Sequence, residues 1–320
     1  MIKIQLDSIT KGLIEKLIIE DAKTARTGVI RLLKNSFNAG NLSYDHPRLY
    51  RLLFDCRGYL KEDTLIKLLL ADKNEMLQYI KILGKYEDTV YSKDADDLLR
   101  KYFRYENFAS RNVAIKILRK IDARVCPYCN RQYTITINNG KVRPQFDHFF
   151  PKVYYPYLAL SIWNLIPSCS ICNMAKSNLD TVDVATEILY PYDEEFGEEV
   201  IFKLEIPKKA NHVRVMQGLS EEFKLHICDL RGSLDNKVKK QNEQLHLEDL
   251  YNEHKDYVMD IVKGRNINTD SRVNELLKRH PLLFKSKDEI LNILYLTDMR
   301  KEKWGKRPLS KLTRDIYSQI

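Results

Sequence analysis

Glycine is scarce in this 320-residue chain, at 11 residues, and no G-x-x-x-x-G-K-[ST] segment occurs. The chain therefore carries no phosphate-cradling loop of the P-loop kind and shows no sign of hydrolysing nucleotides by itself. Long apolar runs are missing too. The widest apolar cluster, residues 65–71, is interrupted by Lys67, well short of the ~20 apolar residues of a membrane helix. No charged-then-apolar leader opens at Met1, so a chain without a membrane span is expected.

What is present suits a soluble protein of one large or two to three small domains, with 44% hydrophobic and 30% charged residues. The formal net charge of +9 and a pI near 9.0 favour a polyanionic partner. Cysteine is used in a pattern. Four of the six cysteines form two C-x-x-C pairs, Cys126/Cys129 and Cys169/Cys172. Each pair makes a tight turn that aims two thiolates at one point, and two pairs supply the four sulfurs of a closed structural zinc site. Core packing and a redox pair are the alternatives. The 39 residues between the pairs exceed the spacing of a simple zinc ribbon, so a folded insert is expected there. Cys56 and Cys228 are left over and read as small buried hydrophobes. Free thiols beside zinc suit a reducing cytoplasm.

Between the knuckles, residues 133–137 alternate and are β-prone. Asn138-Asn139-Gly140 is a hairpin signal, and residues 142–146 are expected to return as a second strand. Asp147-His148 follows. Next come a loop rich in aromatics and proline (Phe149, Phe150, Pro151, Tyr154, Tyr155, Pro156, Tyr157), then Trp163-Asn164-Leu165-Ile166 and the second knuckle. Cys172 to Lys176 reads as the first turn of a helix. Hydrolysis of a phosphodiester needs an activated water and charge stabilisation. A neutral imidazole suits the first need, and a hard, oxygen-ligated cation such as Mg²⁺ suits the second. Asp147 and His148 would face opposite sides of a regular strand, so convergence requires the strand to end or distort there. Lys152 and Lys176 are candidates for phosphate contact, and the loop tyrosines either stack on nucleic acid or pack a small core.

These residues resemble the HNH, or ββα-metal, endonucleases. The resemblance covers about 50 residues: the Asp-His pair, an Asn 16 residues after the histidine, and a second Asn 9 residues later inside C-x-x-C-N-x-x-K. It implies His148 as general base and Asp147 with Asn173 as ligands of a catalytic Mg²⁺ or Mn²⁺. It implies Asn164 as the residue holding, through its backbone, the loop that orients His148, and a separate structural zinc. This chain has D-H and N-N where the family name has H-N-H. The order C-P-Y-C, D-H-F-x-P-K, W-N-L, C-x-x-C-N-x-x-K is similar to PtuB-like HNH nucleases of Septu and retron-associated anti-phage systems. Those work with a separate ABC/SMC-type ATPase, so the resemblance implies a defence role and such a partner.

Residues 1–122 read as helices with no repeat of constant period. Expected pieces are 9–19 and 29–37, a break at 38–41, then 48–59 with Asp45-His46-Pro47 as an N-cap and the proline just inside. Further pieces are 63–70, 74–86, 95–103 capped by Asp94, and 107–121. Arg119, Lys120 and Arg124 sit close to the motif and are candidates for phosphate contact. After the motif, residues 200–206, 212–216 and 223–227 read as strands of a small sheet. Helices are expected over 238–262, 273–279 and 288–297, with a break at 264–270. His246-Leu247-Glu248 matches the H-x-E of zinc deaminases but follows the cysteines, and Cys169 is preceded by Ser168 instead of proline, so that reading is rejected. Residues 299–314 carry seven basic side chains (Arg300, Lys301, Lys303, Lys306, Arg307, Lys311, Arg314) against Glu302, with Trp304 among them. This run either tracks a nucleic-acid backbone or is an ordinary surface.

The expected fold is mainly α, with a central zinc-stapled ββα-metal module and a small sheet after it. The segments are 1–122 (helical), 123–185 (nuclease module) and 186–320 (α+β with a basic tail). The expected function is metal-dependent hydrolysis of DNA. RNA cleavage by the same site, or zinc-stabilised nucleic-acid binding without catalysis, are the alternatives.

Overall fold

Apolar residues at helical spacing and short polar caps give this chain its main element, the helix. A computed structural model describes residues 1–25, 27–86, 102–137 and 140–320, with the side chains of 36–38 and 45 excepted. The fold is mainly helical, with two two-stranded antiparallel sheets among the described residues. None of the described helices is long and apolar enough to cross a membrane. The chain divides into two units. One comprises Gln5–Asp122 and Ile135–Glu187; the other comprises Met1–Ile4, Ala123–Thr134 and Ile188–Ile320.

In the first unit, helices span Ser8–Ala22, Val29–Lys34, Ser36–Asp45, Pro47–Leu53, Glu62–Leu70, Lys73–Leu83, Tyr105–Ser110 and Asn112–Ile121. Their apolar stripes make the core, with Ile14, Leu33, Leu53, Leu65, Leu68, Met76 and Ile117 all sealed from solvent. Asp72 and Glu75 form a reciprocal capping box at the start of Lys73–Leu83, which satisfies backbone N–H groups that the first turn leaves open. The expected break at residues 38–41 is not there. The chain turns at Asn35, whose backbone is extended, and Ser36–Asp45 is helical through Gly40. The helix at Pro47 has His46 at its N-cap position, with no side-chain cap bond and the proline just inside as expected, and it stops at Leu53. Residues 107–121 split at Arg111, whose backbone is extended and whose guanidinium binds Asp21 at 2.8 Å. The helix expected over 95–103 with its cap Asp94 lies largely outside the described residues.

The strand pairing also differs from the expected hairpin, whose turn residues 138–139 lie outside the described ones. Residues 133–137 form no strand, although Tyr133 makes an isolated bridge to Val125. Strand β1 is Gln145–His148, and it pairs antiparallel with β2, Leu165–Ser168, in the register His148↔Leu165. Burial explains the choice. Tyr133, Ile135, Ile137 and Val142 are all exposed, whereas every residue of β2 is buried. An alternating apolar face gains nothing from pairing when nothing covers it. The helix Ser170–Lys176 follows β2, with Cys169 as its cap. It therefore starts before Cys172, two residues earlier than expected.

In the second unit, β3 (Val200–Glu205) pairs antiparallel with β4 (Lys224–Asp229). Residues His212–Met216, expected as a strand, form a short helix because Asn211 accepts the Arg214 N–H and caps it. The helix Lys255–Ile267 runs through the break expected at Gly264. The long helix expected over 238–262 is interrupted at His246, which adopts the left-handed conformation. Cys56 is exposed and Cys228 only half-covered, so neither is the buried hydrophobe expected.

Candidate functional site

The first knuckle is held by backbone and side-chain hydrogen bonds of its own unit. Tyr251 Oη donates to the Cys129 carbonyl at 2.7 Å, and Gln241 Nε2 donates to the Tyr128 carbonyl at 3.1 Å. The second knuckle is the start of a helix, so Cys169 and Cys172 sit one turn apart. The sulfurs of Cys126, Cys129, Cys169 and Cys172 all lie within 4.8 Å of one another, and all four residues are buried. A tetrahedron with Zn–S bonds of ~2.3 Å has sulfurs ~3.8 Å apart, so the cluster is close to the size that zinc needs. The Arg131 N–H lies 3.4 Å from Cys129 Sγ and the Cys172 N–H 3.5 Å from Cys169 Sγ. Both donors favour the thiolate form that a metal requires. This donor set fits a structural zinc ion.

The chemistry-bearing residues of the motif lie in the first unit, around a cleft of about 630 Å³. Its walls include Tyr105, Lys141, Arg143, Gln145, Asp147, His148, Lys152 and Asn173. β1 ends at His148 and the backbone bends immediately after it. Ending the strand there is what lets consecutive residues line one cleft. Gln145 and Asp147 share a strand face, and Asn173 and Lys176 share a helix face. The two faces meet in register: Asn173 Nδ2 donates to Gln145 Oε1 at 2.7 Å, and Lys176 Nζ lies 3.2 Å from Asp147.

His148 is buried, and its ring is 3.1 Å from the Ala159 carbonyl through Nε2. A carbonyl only accepts, so Nε2 carries the proton and Nδ1 is left as the basic atom. The Tyr105 ring packs against the imidazole at a steep interplanar angle of 70°, centroids 4.3 Å apart. Burial, aided by the nearby Lys152 and Lys176 charges and opposed by the Ala159 bond, pushes the His148 pKa from 6.5 down to about 3. The ring is therefore neutral at physiological pH.

Asn164 is fully buried and clamps the loop after β1. Its Oδ1 accepts the Phe150 N–H at 2.7 Å, and its Nδ2 donates to the carbonyls of Phe150 and Leu158 at 3.0 and 3.1 Å. Its own carbonyl accepts the Phe149 N–H at 2.9 Å. Leu158 immediately precedes Ala159, so the clamp fixes both the chain leaving His148 and the carbonyl that holds the ring. The loop aromatics pack a core: Phe149, Phe150, Tyr155 and Tyr157 are all buried.

The expected phosphate contacts are placed differently. Lys176 is fully buried, and its ammonium goes to Asp147 and, at 2.6 Å, to the His148 carbonyl, so it offers no surface charge. Lys152 pairs with Glu106 and lies 4.7 Å from the Tyr105 ring centroid. Arg119, Lys120 and Arg124 are not among the residues lining the cleft. In the tail, Arg300 binds Asp298, Lys301 binds Glu195, Arg307 donates to the Leu296 carbonyl, and Arg314 binds Glu198. Lys311 is buried against Asp315 at 2.7 Å, and Trp304 is buried. Lys303 and Lys306 are both at least partly exposed, and Lys306 has intramolecular contacts of its own.

Sequence reading missed Tyr105, Lys141, Arg143 and Gln145 as cleft residues. Tyr105 lies 43 positions before His148, and no local pattern links them. Arg143, Gln145 and Asp147 do share the alternation of a strand, which was a usable signal.

No family model and no solved structure matches this chain. A stretch of 68 residues, 21% of the chain, is 34% identical to Protein ea31 of Escherichia phage lambda. The match covers 20% of that protein, so the chain aligns with about a fifth of its length.

Proposed function

We propose that this chain is a metal-dependent endonuclease of the HNH kind that hydrolyses phosphodiester bonds of DNA, with His148 as general base. The observation that carries this reading is the gathering of a neutral imidazole, a buried carboxylate and a carboxamide in one basic-walled cleft. The strand–strand–helix order of β1, β2 and Ser170–Lys176 supports it, as does the Asn164 clamp on the loop behind His148.

His148 Nδ1 takes a proton from water, while the Ala159 carbonyl and the Tyr105 ring keep the imidazole from turning. Asp147 and Asn173 offer one carboxylate and one amide oxygen, a hard donor set that fits Mg²⁺ or Mn²⁺. The Asn173 amide nitrogen is engaged by Gln145, which leaves its oxygen as the ligating atom. A divalent cation bound by Asp147 and Asn173 would supply charge neutralisation at the phosphate and the leaving oxygen. The zinc of the four cysteines is structural, since four thiolates close its coordination shell. DNA is the default substrate because attack by an outside water needs no 2′-hydroxyl.

The test is plasmid nicking by the purified chain with Mg²⁺ or Mn²⁺, beside His148→Ala and a control without added divalent metal. Metal-dependent nicking that His148→Ala lowers by about 10²-fold or more is expected. Equal nicking by both proteins overturns the assignment of the base. Cleavage of labelled RNA with DNA left intact overturns the substrate.

A further inference from the structure

The cations around the cleft differ in what already holds them. Lys176 is committed to Asp147 and to the His148 carbonyl. Lys152 is committed to Glu106 and to the face of Tyr105, and Lys141 has intramolecular contacts of its own. Arg143 is different. It lines the cleft, it is half-buried, and among the described residues no hydrogen bond or ion pair engages its guanidinium. Its charge reaches Tyr105, the residue packed on His148.

The local chain explains how Arg143 comes to the site. Pro144 follows it and biases Arg143 towards extended backbone. Arg143, Gln145 and Asp147 then alternate in position, and all three line the cleft. A guanidinium cannot shed its proton at any physiological pH. Half-buried and without an internal anion among the described residues, it is completed by an external one, and its planar fork matches two oxygens of a phosphate.

We infer that Arg143 is the phosphate-binding residue of this cleft, gripping the non-bridging oxygens of a DNA phosphate beside Asp147 and His148. The inference rests on the nuclease reading for its choice of ligand, and its test reads binding instead of cleavage. A short fluorescein-labelled DNA duplex is titrated with the protein, without Mg²⁺ or Mn²⁺, at several KCl concentrations, and binding is followed by anisotropy. Arg143→Gln should weaken binding by about tenfold and shrink the slope of log K against log[salt] by about 0.9, the value of one lost phosphate contact. Arg143→Lys should restore the slope but not the full affinity, because a point charge replaces the fork. Arg279→Gln, on the exposed helix Asp270–Arg279, serves as the control and should change neither. No internal partner among the described residues is lost in Arg143→Gln, so the variant is expected to fold normally.

Wild-type affinity and slope in Arg143→Gln overturn the inference, whatever His148→Ala does to nicking. If the wild type fails to nick yet Arg143→Gln still loses affinity and slope, the phosphate site stands and the catalytic reading falls.

Discussion

The cleft and the basic tail look alike as sequence and differ as structure. Both carry several cations within a short stretch, and the tail has more of them. In the tail, Arg300, Lys301, Lys311 and Arg314 each meet a carboxylate, two of them over more than a hundred residues of sequence (Lys301 with Glu195, Arg314 with Glu198). In the cleft, the guanidinium of Arg143 has no such partner among the described residues. Positive charge in a sequence is thus a count of cations, while the charge offered to a partner is what remains after internal acids are paired. Trp304 makes the same point. An aromatic inside a basic run suggests base stacking, yet here it is buried and donates to the Met299 carbonyl at 2.9 Å.

The contrast can be tested from its foundation outward. The cleft depends on the helix Ser170–Lys176, whose cap and first turn carry two of the four clustered cysteines. Stripping zinc with a strong chelator, or replacing Cys172 with Ser, should therefore have the largest effect, since structural zinc contributes on the order of 10 kcal/mol. Calorimetry should show the cooperative melt lost or lowered by more than about 10 °C. Elemental analysis should find one zinc per chain before treatment. A metal-free protein with an unchanged melt would remove the cluster from the account.

Lys176→Met comes next. It leaves the Asp147 carboxylate buried without its ammonium, which costs about 3–5 kcal/mol, read by urea denaturation. Adding Asp147→Asn should recover part of that loss, because the stranded charge goes with it. A single-variant cost below about 1 kcal/mol would mean that Lys176 is not held in the interior.

A smaller effect concerns pH. The unfolded chain protonates His148 near 6.5, while the folded chain resists protonation down to about 3. Between those values the unfolded state binds more protons, so stability must fall as pH drops below 6.5, by at most about 1.4 kcal/mol per pH unit from this residue. His148→Asn should flatten that slope. An unchanged slope would place the imidazole in water.

The smallest effect sharpens the comparison most directly. Arg300→Gln and Lys301→Gln should each cost less than about 1 kcal/mol, as exposed ion pairs do, and should leave the salt dependence of DNA binding as in the wild type. A fall in the slope of about one per substitution would make the tail the nucleic-acid surface and reverse the comparison.

Reading the sequence succeeded where the physics is local. The C-x-x-C spacing aims two sulfurs at one point whatever surrounds it, and the four cysteines cluster as expected. Among the described residues, helical periodicity before residue 122 and the β-propensity of residues 200–206 and 223–227 produced the expected element types. Turns set by one residue were harder to place, as Asn35, Arg111 and His246 illustrate, because caps and φ values depend on neighbours the pattern does not weigh. Three outcomes belonged to the folded chain alone. Strand β1 pairs with the fully buried Leu165–Ser168 instead of with the exposed residues 133–137, because burial and not alternation rewards pairing. Lys176 turns inward to Asp147, and Lys301 and Arg314 of the tail find acids far away in sequence. Pairing partners and charge neutralisation are set by which distant groups share a dry or crowded space, and that information exists only once the chain has folded.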